Sequence, residues 1–118
     1  MLSLQELDEL VWEWATDRGI TSSSTTVAQL TETLKEVGET IRAVVYFEKS
    51  WDSLTTGGTP EDSSALSAAR NKVKTEFGDV FITLIIAAGM LNMSMQECLD
   101  LAYNKISLRT ARVDSRVA

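Results

Sequence analysis

Histidine is absent from the 118 residues, and there is a single cysteine, Cys98, and a single proline, Pro60. Without histidine, zinc catalysis, His-based triads and the Glu-x-x-His pairs of di-iron bundles all lose a required group. A lone cysteine closes no internal disulfide, which fits a reducing, cytoplasmic setting. Positive charge is also scarce: 11 Lys+Arg stand against 17 Asp+Glu, for a net charge of −6 and a pI of about 4.6. Nucleic-acid binders show the opposite sign, so nucleic acid is not expected as a partner. A free nucleotide stays open, because a metal ion reverses the local charge of its site. Long hydrophobic runs are missing too. The most apolar one, VFITLIIAAGML over residues 80–91, is too short to span a bilayer and reads as buried core, so no membrane is expected. The opening MLSLQELDEL has neither a basic n-region nor a signal-peptide core. No Walker A or dinucleotide fingerprint is present; Gly57-Gly58 follows a helical pattern rather than a strand.

What is present is an ordinary globular composition, 44% hydrophobic and 24% charged, of a length that makes one domain. The spacing predicts an all-α fold. A first helix runs from a Ser3 cap to about Arg18, with Leu4, Leu7, Val11, Trp14 and Ala15 as its stripe; Trp12 and Trp14 point to different sides. The polar stretch Thr21–Thr26 reads as a loop. A second helix over about 26–51 has Leu30, Leu34, Val37, Ile41, Val44 and Val45 as its core face. Thr59-Pro60-Glu61-Asp62 is a helix start, with a Thr cap, proline at the first position and acids at the positive dipole end. That third helix reaches about Leu91, with an irregular opening around Ser63 and Ser64. Its stripe is Val73, Phe77, Val80, Phe81, Leu84 and Ala88, and Ile82, Ile85 and Ile86 fill other sides. A helix apolar all round needs neighbours all round. The expected architecture is therefore a bundle of four main helices with a central antiparallel hairpin, completed by a second copy or more. Asn92 ends the third helix, and Ser94-Met95-Gln96-Glu97 is a capping box for a fourth over about 95–112. Leu99, Ala102, Tyr103 and Ile106 form its apolar face, and residues 113–118 are expected to fray.

Two stretches carry the chemistry. KEVGET (35–40) places Glu36 and Glu39 three apart, and TEFGDV (75–80) does the same with Glu76 and Asp79. On a helix such pairs share a face. Their midpoint falls between Gly57 and Gly58, so a hairpin about that loop brings the two pairs to one height. The alternative is a pair of solvated helix faces, common in acidic proteins. Three features favour a site. The pairs are equidistant from the loop, they flank apolar stripes, and Asp79 abuts the most apolar run, where an unpaired charge is costly. Converging carboxylates without histidine describe a hard-cation site, for Mg²⁺ or Mn²⁺.

Glu36-Val-Gly-Glu39, then Glu76-Phe-Gly-Asp79-Val-Phe, then Tyr103-Asn104-Lys105-Ile106-Ser-Leu-Arg109 resemble, in order, the motifs of the MazG-like all-α nucleotide pyrophosphohydrolases. The likeness spans roughly residues 8–110, includes the Trp14-Ala-x-x-Arg18-Gly opening, and is nearest to the short single-domain versions often encoded by phages. It implies hydrolysis of a nucleoside triphosphate to the monophosphate and pyrophosphate. Glu36, Glu39, Glu76 and Asp79 would hold Mg²⁺ on the phosphates, with Glu36 and Glu39 the catalytic pair. The ion would withdraw charge from phosphorus and acidify a water, and a spare carboxylate would take its proton. Asn104, Lys105 and Arg109 would touch phosphate or sugar, or else simply end a helix whose dipole favours cations. Trp14 and Tyr46 would stack on the base, or serve ordinary packing. The sequence departs from many relatives at Lys35, which stands where a further acid is usual. For the copies that complete the bundle, a homodimer is the default expectation and a tetramer stays open. The rival reading is a non-catalytic oligomerising helical module that keeps the fold and binds nucleotide at most.

Overall fold

Ser3, Thr59 and Ser94 act as the caps that their positions announce, and they set the starts of three helices. The structure is a computed structural model; it describes the backbone of residues 1–117 and the side chains as far as Arg109. In chain order the elements are α1 (Leu4–Asp17), α2 (Ile20–Ser23), α3 (Thr26–Thr55), α4 (Pro60–Met90) and α5 (Met95–Val117), with no strand among the described residues. Ser3 and Glu6 form a reciprocal capping box at α1, with both bonds at 3.1 Å. Thr59 and Asp62 exchange the equivalent pair at α4, and Ser94 receives the Glu97 N–H at 3.1 Å at α5. Helix α4 is regular from Pro60 onward, so the irregular opening expected at Ser63 and Ser64 is absent. The expected fraying of 113–118 falls on residues whose side chains lie outside the described ones.

The polar stretch after α1 is not all loop. Gly19 turns the chain at φ 75°, and the Ser22 and Ser23 hydroxyls donate back to its carbonyl at 3.1 and 2.7 Å. Those bonds stabilise a single helical turn, α2, in a segment whose composition alone suggested coil. Asn92 ends α4 as expected, at φ 59°. Its N–H reaches the Gly89 carbonyl and the Met93 N–H reaches Ala88, both at 2.9 Å, which is the double bond of a Schellman stop.

The chain divides into two compact units, Met1–Thr26 with Ile85–Ala118, and Val27–Leu84. In the first, Ala15, Ile85, Ile86, Ala87 and Met95 are buried. Trp12 lies flat against α4 at Gly89, where any β-carbon would overlap the indole ring. Trp14, placed in the buried stripe by its spacing, is instead 45% exposed. Gly89 is what decides between the two tryptophans, because only a position without a side chain admits an indole so close. Asp8 accepts from the Met95 and Gln96 N–H groups, each at 3.4 Å, and so tethers α1 to the start of α5. Beyond Cys98 the described α5 residues are exposed, the expected face of Leu99, Ala102, Tyr103 and Ile106 among them.

In the second unit α3 and α4 form an antiparallel hairpin about Gly57-Gly58, with the Thr33 and Thr83 hydroxyls bonded at 2.7 Å across it. The face that the hairpin buries is not the apolar one. Gln29, Thr33, Thr40 and Ala43 are buried on α3, and Ala69 and Glu76 on α4. With Glu36 these α3 positions follow the 3-4 spacing of a packed helix seam, but they are small or polar. The expected core stripe is turned outward instead: Leu34 is 73% exposed, Ile41 59% and Phe77 52%, with Leu30, Val37, Val45 and Phe81 also exposed. Two stripes run side by side along α3, and the small and polar one is the one buried in the hairpin.

Candidate metal centre

The seam places carboxylates where a packed core would ordinarily have aliphatic groups. Glu36 from α3 and Glu76 and Asp79 from α4 each present an oxygen to a common point, and these oxygens lie within 4.8 Å of one another. Glu76 is 4% exposed, and Glu36 and Asp79 are half-buried. The hairpin register does this: Glu36 sits one helical turn from Thr33 on α3, as Asp79 does from Thr83 on α4.

Two oxygens in this group, Oε2 of Glu36 and Oε2 of Glu76, are buried without a hydrogen-bond partner. Buried polar atoms are nearly always satisfied, so two buried, unpartnered carboxylate oxygens within one group of acids point to a ligand. Glu76 Oε1 is met by the Lys72 ammonium at 2.7 Å. That bond, with the Glu76 charge behind it, holds Lys72 more firmly protonated than an ordinary lysine. The Glu36 carboxyl is pushed above its ordinary range, first by burial and then by the charge and hydrogen bond of Glu39, with Asp79 and Glu76 adding to it. A divalent cation would offset the crowding of like charges around Glu36 and give the unpartnered oxygens a ligand. All the donors are oxygens, which suits a hard ion such as Mg²⁺ or Mn²⁺.

Glu39 does not contribute an oxygen to the tight group. It stands close enough to Glu36 to raise the pKa of that carboxyl, and it lines an adjoining cleft of about 480 Å³. Tyr46 lines the same cleft, one helical turn beyond Arg42. Thus five residues singled out by the sequence, Glu36, Glu39, Tyr46, Glu76 and Asp79, gather along one seam. The other four belong to the first compact unit. Trp14 is half-exposed under the Arg18 guanidinium, 5.4 Å from its ring centre, while Asn104, Lys105 and Arg109 are exposed on α5. Lys35 is also exposed. Sequence reasoning missed Arg42 and Lys72. Their signal was present, since each lies three or four residues from a metal-pair acid on the same helix.

Comparison of the chain with protein-family models, with curated proteins and with solved structures finds no match.

Proposed function

We propose that the chain is a magnesium-dependent hydrolase that splits nucleoside triphosphates into the monophosphate and pyrophosphate. The observation that supports this most is the convergence of Glu36, Glu76 and Asp79 with two buried, unpartnered oxygens among them. The ordered likeness to the MazG-like enzymes supplies the reaction class. When bound, the ion supplies charge neutralisation at the phosphates and Lewis-acid activation. Glu36, Glu76 and Asp79 hold it. Glu39, beside Glu36 and lining the cleft, would accept the proton of an attacking water. Tyr46 offers its ring to the base. Asn104, Lys105, Arg109 and Trp14 keep the phosphate, sugar and base roles that the resemblance implies.

The same reading includes self-association into a helical bundle. Leu34, Val37, Ile41, Val45, Phe77 and Phe81 leave an apolar stripe exposed along the hairpin, and Val37, Ile41, Val45 and Phe77 of it line a groove of about 350 Å³. Contiguous apolar surface of this kind is uncommon on a monomer. A second copy offering the same stripe covers it, as a homodimer or as half of a tetramer.

The test is pyrophosphate release from the eight common ribo- and deoxyribonucleoside triphosphates, with Mg²⁺ and with chelator. Metal-dependent release from one or more supports the enzyme. Self-association with no release from any of them leaves the non-catalytic module.

A further inference from the structure

The Lys72–Glu76 pair is not needed to build the helix. A solvent-exposed i,i+4 pair contributes only tenths of a kcal/mol, and this one ends on a carboxylate that is almost wholly buried. The lysine is anchored at one point. Its side chain is 66% exposed, and the Glu76 contact is what draws it to the seam. Glu76 in turn gives one oxygen to the ammonium, and its other oxygen is buried without a partner. A divalent ion at that group therefore arrives next to a positive charge already holding one of its ligands, and the two cations repel.

Lys72 stands at the edge of the cleft. It lines the cleft with Arg42 and Tyr46 of α3, while buried Ala43 and Ala69 keep the cleft open by being small. Two cations and one aromatic ring in a space of small-molecule size suit a phosphate-bearing aromatic ligand. We infer that Lys72 is a resident counter-cation of the centre, held on Glu76 until a divalent ion takes its place and then turned into the cleft to bind substrate phosphate beside Arg42. This rests on reading Glu36, Glu76 and Asp79 as a metal centre.

The experiment titrates the nucleotide-free protein with Mn²⁺, followed by electron paramagnetic resonance, in wild type, Lys72→Met, Lys74→Met and Glu76→Gln, each checked for helicity. Lys72→Met is expected to bind Mn²⁺ about three- to fivefold more tightly than wild type, the size of a removed ion-pair competitor. Lys74→Met, two residues on and so on another face of α4, controls for net charge and is expected to shift far less. In Mg²⁺-dependent hydrolysis, Lys72→Met is expected to raise KM about tenfold with kcat little changed, and Lys72→Arg to restore most of it. A Lys72→Met titration that overlays wild type or Lys74→Met, or an unchanged KM, overturns the relay. If binding in wild type is sensitive to Glu76→Gln and only the Lys72 effect is missing, the relay falls alone. If wild type shows no Mn²⁺ site sensitive to Glu76→Gln, the metal centre falls with it.

Discussion

At Glu36 burial and three neighbouring carboxylates act with one sign, and each favours the protonated form. The folded protein therefore retains this proton at a pH where the unfolded chain, near the ordinary value of 4.5, has released it. The stability this group supplies is complete below that ordinary value and is lost as pH rises through the raised folded one. The metal-free protein is accordingly expected to melt at a lower temperature near about pH 8 than near about pH 5, and calorimetry across that range reads the slope. Saturating Mn²⁺ or Glu36→Gln should flatten this part of the profile, and a wild-type profile already flat would show that Glu36 is unperturbed. The same crowding governs the charge-removing substitutions. Glu36→Gln and Asp79→Asn keep shape and remove a charge that repels its neighbours, so the metal-free melting temperature is expected to hold or rise. Mg²⁺-dependent pyrophosphate release is expected to fall by about a hundredfold or more, since the ion loses a ligand. Wild-type turnover in either variant would remove these residues from the site. That Glu36 and Glu76 would share a point was legible from two acid pairs equidistant from a glycine turn. That Glu39 faces the cleft rather than joining the tight group was not, because three-residue spacing leaves the choice to the neighbouring helix.

Helix α4 offers a test at the scale of one element, because two of its glycines answer the same substitution oppositely. Gly78 has open space where a β-carbon would stand, whereas at Gly89 that atom meets the Trp12 ring. Gly78→Ala is expected to stabilise by up to about 1 kcal/mol through helix propensity. Gly89→Ala should cost about 1–3 kcal/mol by overpacking, and the displaced indole should show in near-ultraviolet circular dichroism. Thermal melts of equal sign would contradict this account of how α4 packs. Helix starts at Ser3, Thr59 and Ser94 could be read from sequence because capping is local, its partners three residues apart. Helix α2 could not. Its serine-to-carbonyl bonds form only after Gly19 has taken a left-handed turn, and the same hydroxyls serve coil equally well.

For the whole molecule the exposed stripe of Leu34, Ile41, Phe77 and their neighbours is the main consequence of the hairpin's choice of face. Light scattering is expected to give a multiple of the 13.0 kDa chain mass at micromolar concentration. Ile41→Lys or Phe77→Lys should shift that mass toward the single chain, because each buries a charge against apolar side chains of the second copy. A stable 13.0 kDa species in wild type would refute the assembly and leave the stripe unexplained. No single helix among the described residues is long and apolar enough to cross a membrane.

The sequence by itself determined the all-helical class, most helix boundaries and the nearness of Glu36 to Glu76 and Asp79 across the Gly57-Gly58 turn. All of these follow from spacing and capping within a few residues of chain, where the covalent backbone limits the alternatives. Only the tertiary structure decided which of two parallel stripes the hairpin buries, and which tryptophan turns inward. Both choices depend on what a neighbouring helix offers, which the spacing of the chain does not carry. At Gly89 the missing side chain admits the Trp12 ring, and along α3 the small and polar stripe, not the apolar one, is buried. The hydrophobic pattern measures how strongly a residue avoids water, not what its neighbour leaves room for.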